Sequence, residues 1–246
     1  MSEFVKKLEQ SSRVKGRAIG FGVSAKAKDA SMMLVARLSQ ADASVVSQAV
    51  EGEADALLFD LADLTGHIDA LSKITRSIPW GVRLQTASTE EVRKLAEAGC
   101  DYLVFDPSLS ALILKSEKIG KVLEVDTALN DGLARTIAQT PIDVLFITED
   151  SQVGPLTIAQ LLDFRRICAF SGKIALASLP HDLSDLEPLR EAGVGGVVVW
   201  CDKDSKRKLA EVREAIAALP VSMKKGNEKI APLLPNASAE KDSDDF

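Results

Sequence analysis

Eight short apolar runs recur along the chain at nearly even spacing, and this regularity limits the fold more than any other feature. They begin near Met32, Asp55, Trp80, Asp101, Lys121, Ile142, Lys173 and Gly196, at intervals of 23, 25, 21, 20, 21, 31 and 23 residues. Leu57-Leu58-Phe59, Leu103-Val104-Phe105, Val144-Leu145-Phe146-Ile147 and Val197-Val198-Val199 are continuous and apolar, the pattern of parallel strands covered on both faces. Each interval leaves room for a loop, an amphipathic helix and a return loop. A single (β/α)8 barrel over residues 32–220 accommodates all eight units. Before it, residues 1–31 read as a short helix over 1–12 and an extra strand or hairpin at Arg17–Val23 that closes the bottom of the barrel. After it, residues 221–246 contain Lys224-Lys225-Gly226-Asn227, Pro232, Pro235 and Asp242-Ser243-Asp244-Asp245, with too little to bury, and are expected to be a disordered tail.

Local punctuation supports the helices between the runs. Ser88-Thr89-Glu90-Glu91 reads as a capping box, Val92, Leu95 and Ala96 follow at helical spacing, and Gly99 provides a left-handed exit. Ser184-Asp185-Leu186-Glu187 reads the same way, with Pro188 in the first turn and Gly193 closing. Gly195-Gly196 is expected to form the tight turn from that helix into the last strand.

Composition excludes several function classes. The formal charge is −6, and the aromatics are eight Phe, two Trp and one Tyr, so neither a phosphate-binding basic surface nor a set of base-stacking platforms is present. No apolar run reaches the roughly 18 residues of a membrane helix. The charged beginning, Met1-Ser2-Glu3-Phe4-Val5-Lys6-Lys7, is unlike a secretory signal, and a cytoplasmic location is expected. Cys100, Cys168 and Cys201 are odd in number, widely separated and set among apolar residues, as expected of reduced buried thiols. The expected partner is a small-molecule ligand, with no nucleic acid and no membrane; a homo-oligomer would bury outer helix faces or the region around Trp80.

In such a barrel the functional groups project from the C-terminal ends of the strands. Side-chain alternation turns Arg37 inward with Val35, Asp60 with Leu58, Arg83 and Gln85 with Gly81, Asp106 with Val104, and Asp126 with Glu124. Thr148, Ser178, and Trp200 or Asp202 complete the ring. Two readings of these charges follow. In one, Arg37 and Arg83 neutralise Asp60, Asp106 and Glu124 as a structural ion network. In the other, carboxylates at adjacent strand ends, Asp126 and Asp150, hold a divalent cation, since magnesium needs only one or two carboxylates beside water and substrate oxygens.

Several segments resemble the metal-dependent pyruvate aldolase and citrate lyase beta-chain group. Asp55-Ala56-Leu57-Leu58-Phe59-Asp60-Leu61-Ala62-Asp63 is similar to the family's second strand, which usually ends Asp-Leu-Glu-His. Val82-Arg83-Leu84-Gln85 resembles its third-strand Val-Arg-Val-Pro. Leu123-Glu124-Val125-Asp126-Thr127, with Ile142 to Ile147 and Glu149-Asp150, resembles the Gln-Val-Glu-Thr and Asp-x-x-Phe-Ile-Gly-Pro-x-Asp-Leu motifs that carry its metal ligands. The final unit, ending Val199-Trp200-Cys201-Asp202, is similar to its last strand, which ends Gly-x-Asp. The resemblance spans roughly residues 32 to 215 and implies a carbon-carbon lyase or aldolase acting on a small keto acid or acyl substrate. It implies magnesium, or alternatively manganese, on Asp126 and Asp150, with Glu124 and Glu149 beside them, and Arg83 on the developing enolate. Asp60 and Asp63 are the proton-transfer candidates, with His181 behind them, and Arg37, Gln85, Asp106, Thr148, Ser178 and Trp200 would line the substrate. Ala62 and Asp63 stand where the family has Glu-His, and the Gly-Pro before the second ligand is missing.

Two other functions compete. A barrel without catalysis, retained for binding or assembly, accounts for the missing motif residues. A phosphate-binding barrel is suggested by Gly193-Val194-Gly195-Gly196, but Leu179-Pro180 and Trp200-Cys201 occupy the positions after strands 7 and 8 where free amides are needed. No lysine stands at a strand end for Schiff-base chemistry, His67 and His181 lie in loops, and no Gly-x-Ser-x-Gly elbow occurs.

Overall fold

The computed structural model describes residues 2–12, 32–60, 71, 78–86, 88–116, 118–148, 155–179 and 182–220. Within them, eight strands pair in chain order into a closed parallel barrel: β1 (Met33–Leu38), β2 (Ala56–Phe59), β3 (Trp80–Arg83), β4 (Tyr102–Phe105), β5 (Gly120–Asp126), β6 (Val144–Thr148), β7 (Ile174–Ser178) and β8 (Val194–Cys201). The β8 to β1 pairing, from Met33 opposite Gly196 to Leu38 opposite Cys201, closes the ring. Every strand begins within two residues of its expected position.

Alternation along the strands separates two cores. Leu57, Phe59, Val82, Leu103, Phe105, Leu145, Ile147, Val197 and Val199 face outward against the helices. Met33, Val35, Leu58, Tyr102, Val104, Val122, Phe146, Leu176 and Val198 fill the barrel. Continuous apolar runs result because both faces of each strand are buried.

The bottom of the barrel is filled by helix α1 (Glu3–Ser12), whose Phe4, Val5 and Leu8 join the interior cluster. Phe4 stacks on Tyr102 with ring centroids 3.9 Å apart, and the Tyr102 hydroxyl donates to the Leu57 carbonyl at 2.7 Å. Asp101 caps α1 from a distant part of the chain, accepting from Ser2 Oγ at 2.6 Å, Glu3 N at 2.9 Å and Phe4 N at 2.7 Å. A cap of this kind satisfies amides that the helix itself leaves open. The helix thus closes the bottom of the barrel; Arg17–Val23, expected to take part there, lie outside the described residues, as does the expected tail at 221–246.

Around the barrel run α2 (Ala43–Glu51), α3 (Thr89–Glu97), α4 (Asp131–Ala138), α5 (Ile158–Ser171), α6 (Leu186–Ala192) and α7 (Lys206–Ala218). The Ser88 capping box and the Gly99 exit at φ 90° form as expected. Three local expectations change. Ser184 is not a helix cap: it lies in a short 3-10 turn, Leu183–Asp185, capped by Asp182, while Asp185 turns its carboxylate to Leu156 N. Gly195 and Gly196 lie inside β8, where side chains would collide with Ser12, Ile174 and Met33; the left-handed turn belongs to Gly193, at φ 108°. Between β4 and β5, only a 3-10 helix, Ala111–Lys115, replaces the expected α-helix among the described residues.

Candidate functional site

The inward positions at the C-terminal ends of the strands carry the polar groups that alternation assigned to them. Four of these groups form one chain of ion pairs. Arg37, at the end of β1, donates through Nη2 to Asp60 Oδ2 just beyond β2. Arg83, ending β3, reaches past β4 to β5, where its Nε and Nη2 hold Glu124 Oε2 and Oε1 at 2.6 and 3.0 Å. Its Nη1 lies 3.8 Å from Asp60 Oδ1 and joins the two halves. The four side chains are largely buried, and each charge has an opposite partner, as low-dielectric surroundings require. The hydrogen bonds to Glu124 are the largest influence on Arg83 and raise its pKa above the ordinary guanidinium value. Burial opposes this, and the charges of Glu124, Asp60 and Asp106 add to it.

Trp200, the inward residue near the end of β8, lies over Arg37, whose guanidinium carbon is 4.2 Å from the ring centroid. The indole is 50% exposed, whereas Arg37 beneath it is 9% exposed and its Nε is buried without a hydrogen-bond partner. This stack fixes the tryptophan as a wall of the mouth.

Asp106 and Asp126 stand outside the ion-pair chain. Each holds a backbone amide of its own loop: Asp106 accepts from Ser108 N at 2.7 Å and Asp126 from Ala128 N at 2.8 Å. The bonds from Ser108, with a smaller contribution from Arg83, keep the Asp106 carboxyl below its usual pKa. The Asp126 loop is fastened from outside by Arg166 of α5, which donates to the carbonyls of Thr127 and Leu129 at 2.9 and 2.6 Å and pairs with Asp131 and Asp163. Thr148 lies opposite Asp126 in the β5 to β6 register, and its Oγ1 donates to the Val125 carbonyl at 3.4 Å. Ser178 ends β7, and Gln85 is exposed beyond β3. Asp202, the alternative to Trp200, binds Ser205 through its side chain at the start of α7.

Among the described residues, no group of three or more His, Cys, Asp or Glu side chains is arranged to hold a metal ion. Both Glu124 oxygens are occupied by Arg83, and one Asp126 oxygen holds Ala128 N. These residues do not by themselves fit a magnesium site. Asp63, Glu149, Asp150, His67 and His181 lie outside the described residues.

Sequence reasoning missed the Trp200 stack on Arg37, the Arg166 clamp, and a second set of acidic residues at the opposite end. Asp55 accepts from Leu34 N and Asp143 from Lys121 N, each at 2.8 Å, and Asp101 caps α1. A readable signal existed, since an aspartate directly precedes the apolar runs at 56, 102 and 144.

This architecture has many solved counterparts. A mutant tryptophan synthase alpha-subunit from the hyperthermophile Pyrococcus furiosus superposes with a TM-score of 0.63 at 10% identity, over 75% of this chain and 97% of that one. Thiamine phosphate pyrophosphorylase from Pyrococcus furiosus superposes with a TM-score of 0.59 at 16% identity, over 75% and 95% of the two chains. The fold is that of a TIM barrel. No protein-family model and no curated protein sequence matches the chain. At these identities the likeness extends to the fold and not to activity. No described helix is long and apolar enough to cross a membrane.

Proposed function

We propose that this TIM barrel binds a small polar molecule at its C-terminal mouth, over the arc formed by β6, β7 and β8. The observation that carries this reading is the asymmetry of the mouth. The ion pairs of Arg37, Asp60, Arg83 and Glu124 fill the side from β1 to β5, and the other side bears the short side chains Thr148 and Ser178 beside the half-exposed Trp200. Short residues leave space, and the indole gives that space an apolar wall.

Magnesium-dependent carbon-carbon bond cleavage, which the family resemblance implies, is the competing reading. Asp126 at the end of β5 favours it, standing where the resemblance places the first metal ligand. The commitment of Arg83 to Glu124 weighs against it, because both atoms that form the paired donor face of the guanidinium are already occupied.

The test is thermal stabilisation of the full chain by a panel of sugars, amines, keto acids and phosphate, repeated on Ser178→Phe. A ligand-dependent rise in Tm that Ser178→Phe abolishes supports binding on the arc. No rise with any class, or a rise that survives the substitution, overturns it. Cleavage of oxaloacetate that requires added magnesium or manganese, and is lost in Asp126→Asn, would instead establish the lyase reading.

A further inference from the structure

Resting on the binding site proposed above, the geometry points to its ligand class: a neutral, polyhydroxylated molecule of about monosaccharide size, packed against Trp200 and hydrogen-bonded to the carboxylates of the mouth.

Charge excludes the obvious anions. Among the described inward groups at the strand ends, Arg37 and Arg83 are outnumbered by four carboxylates, Asp60 and Glu124 in the ion-pair chain and Asp106 and Asp126 outside it, so the negative charges exceed the positive by two. The arginines also have little to offer. Arg83 directs Nε and Nη2 to Glu124 and Nη1 toward Asp60, while Arg37 is bound to Asp60 and covered by the indole. The one guanidinium nitrogen without a partner, Arg37 Nε, is buried, so a carboxylate or phosphate entering here would meet the carboxylates without reaching it.

An organic cation would be drawn by the surplus carboxylates but poorly received by the aromatic wall. The positive charge of Arg37 already lies 4.2 Å from the Trp200 ring centroid, so a second cation at the same indole would be repelled from behind. A neutral polyol avoids both penalties. Its hydroxyls can donate to the Asp126 carboxylate, which stands beside Thr148 at the edge of the arc, and can exchange hydrogen bonds with Thr148 and Ser178. Its C–H surface can cover the exposed part of the indole, burying apolar area that now faces water.

Trp200 itself provides the readout, because the other tryptophan, Trp80, is buried and Trp80→Phe leaves Trp200 as the single indole. Emission from the full-length Trp80→Phe protein would be titrated with glucose, ribose, xylose and myo-inositol, then with pyruvate, inorganic phosphate and choline. The expected result is a saturable change with at least one polyol that does not weaken as salt is raised. Loss of the hydrogen bonds to a charged acceptor in Asp126→Asn should reduce affinity by about tenfold or more. Trp200→Leu, followed by calorimetry, should lower the same affinity. A response confined to keto acids, phosphate or choline overturns the polyol assignment while leaving the binding site intact. Silence across every class overturns both. If Trp200→Leu fails to fold, the exposed Asp126→Asn substitution still decides the question.

Discussion

Replacing Arg83 by methionine tests whether the mouth is built on an ion network or on a free substrate-binding arginine. The substitution keeps most of the side-chain volume but removes the charge and both hydrogen bonds to Glu124, at 2.6 and 3.0 Å. Glu124 is then left with its charge uncompensated, at 13% side-chain exposure, and Asp60 retains only Arg37. Breaking a fully buried pair from one side costs about 3–5 kcal/mol. Arg83 is 26% exposed at its side chain, so water screens part of the interaction, and a loss of about 2–3 kcal/mol is expected. For a chain of this size that corresponds to a fall in Tm of roughly 5–10 °C. The double variant Arg83→Met/Glu124→Gln removes the orphaned charge and should recover much of the loss. Urea unfolding followed by circular dichroism, on the two single variants and the double variant, completes the cycle. A coupling energy above about 1 kcal/mol is expected for groups in such contact. If Arg83→Met leaves the urea midpoint unchanged and the coupling is zero, the arginine is not structurally committed and the reasoning fails.

Three further outcomes follow from the packing. Gly81→Ala would place a methyl 2.5 Å from the Tyr102 ring and carbonyl, so a loss of about 1–3 kcal/mol is expected in urea unfolding, with disturbed tyrosine near-ultraviolet dichroism. Asp101→Ala removes the cap of α1 and should cost about 1–2 kcal/mol, with faster amide exchange at Glu3 and Phe4; unchanged exchange there would contradict the capping role. Burial pushes the Cys168 and Cys201 thiols up to about 12, and Cys100 higher still, so at pH 8 only about one thiol in ten thousand is thiolate at the first two positions. A thiol reagent should therefore titrate all three at full rate only after unfolding, and rapid reaction of the native protein would refute this burial.

The barrel was legible because it is encoded redundantly. A strand buried on both faces must be apolar throughout, and eight such strands leave eight marks at a nearly fixed interval. Alternation carried over to the mouth, where Arg37, Asp60, Arg83, Glu124 and Trp200 all stand at inward positions that periodicity can assign. Pairing was harder to read, since it depends on strand stagger and side-chain reach. Arg83 bypasses Asp106 on the adjacent strand to bind Glu124 on β5, and Asp106 turns to its own loop. Local motifs misled where a tertiary partner competed: Asp185 and Ser184 carry the residue types of a cap, yet Leu156 N claims the Asp185 carboxylate. Part of the acidic complement serves the opposite end of the barrel. Asp55, Asp101 and Asp143 serve backbone amides at the bottom of the barrel, leaving fewer carboxylates available for chemistry.

The contact between Ser2 and Asp101 has a consequence for how the chain is made. These residues are separated by 99 positions, so during synthesis the first helix leaves the ribosome long before the strand that receives it exists. Until the strands that line the barrel are formed, β7 and β8 among them, Phe4, Val5 and Leu8 have no interior to enter, and the apolar stripe of α1 stays unsatisfied. Docking of α1 is therefore a late, non-local event, and its closure entropy slows the approach to the native state. A helix made before every strand it packs against is among the last elements to find its place.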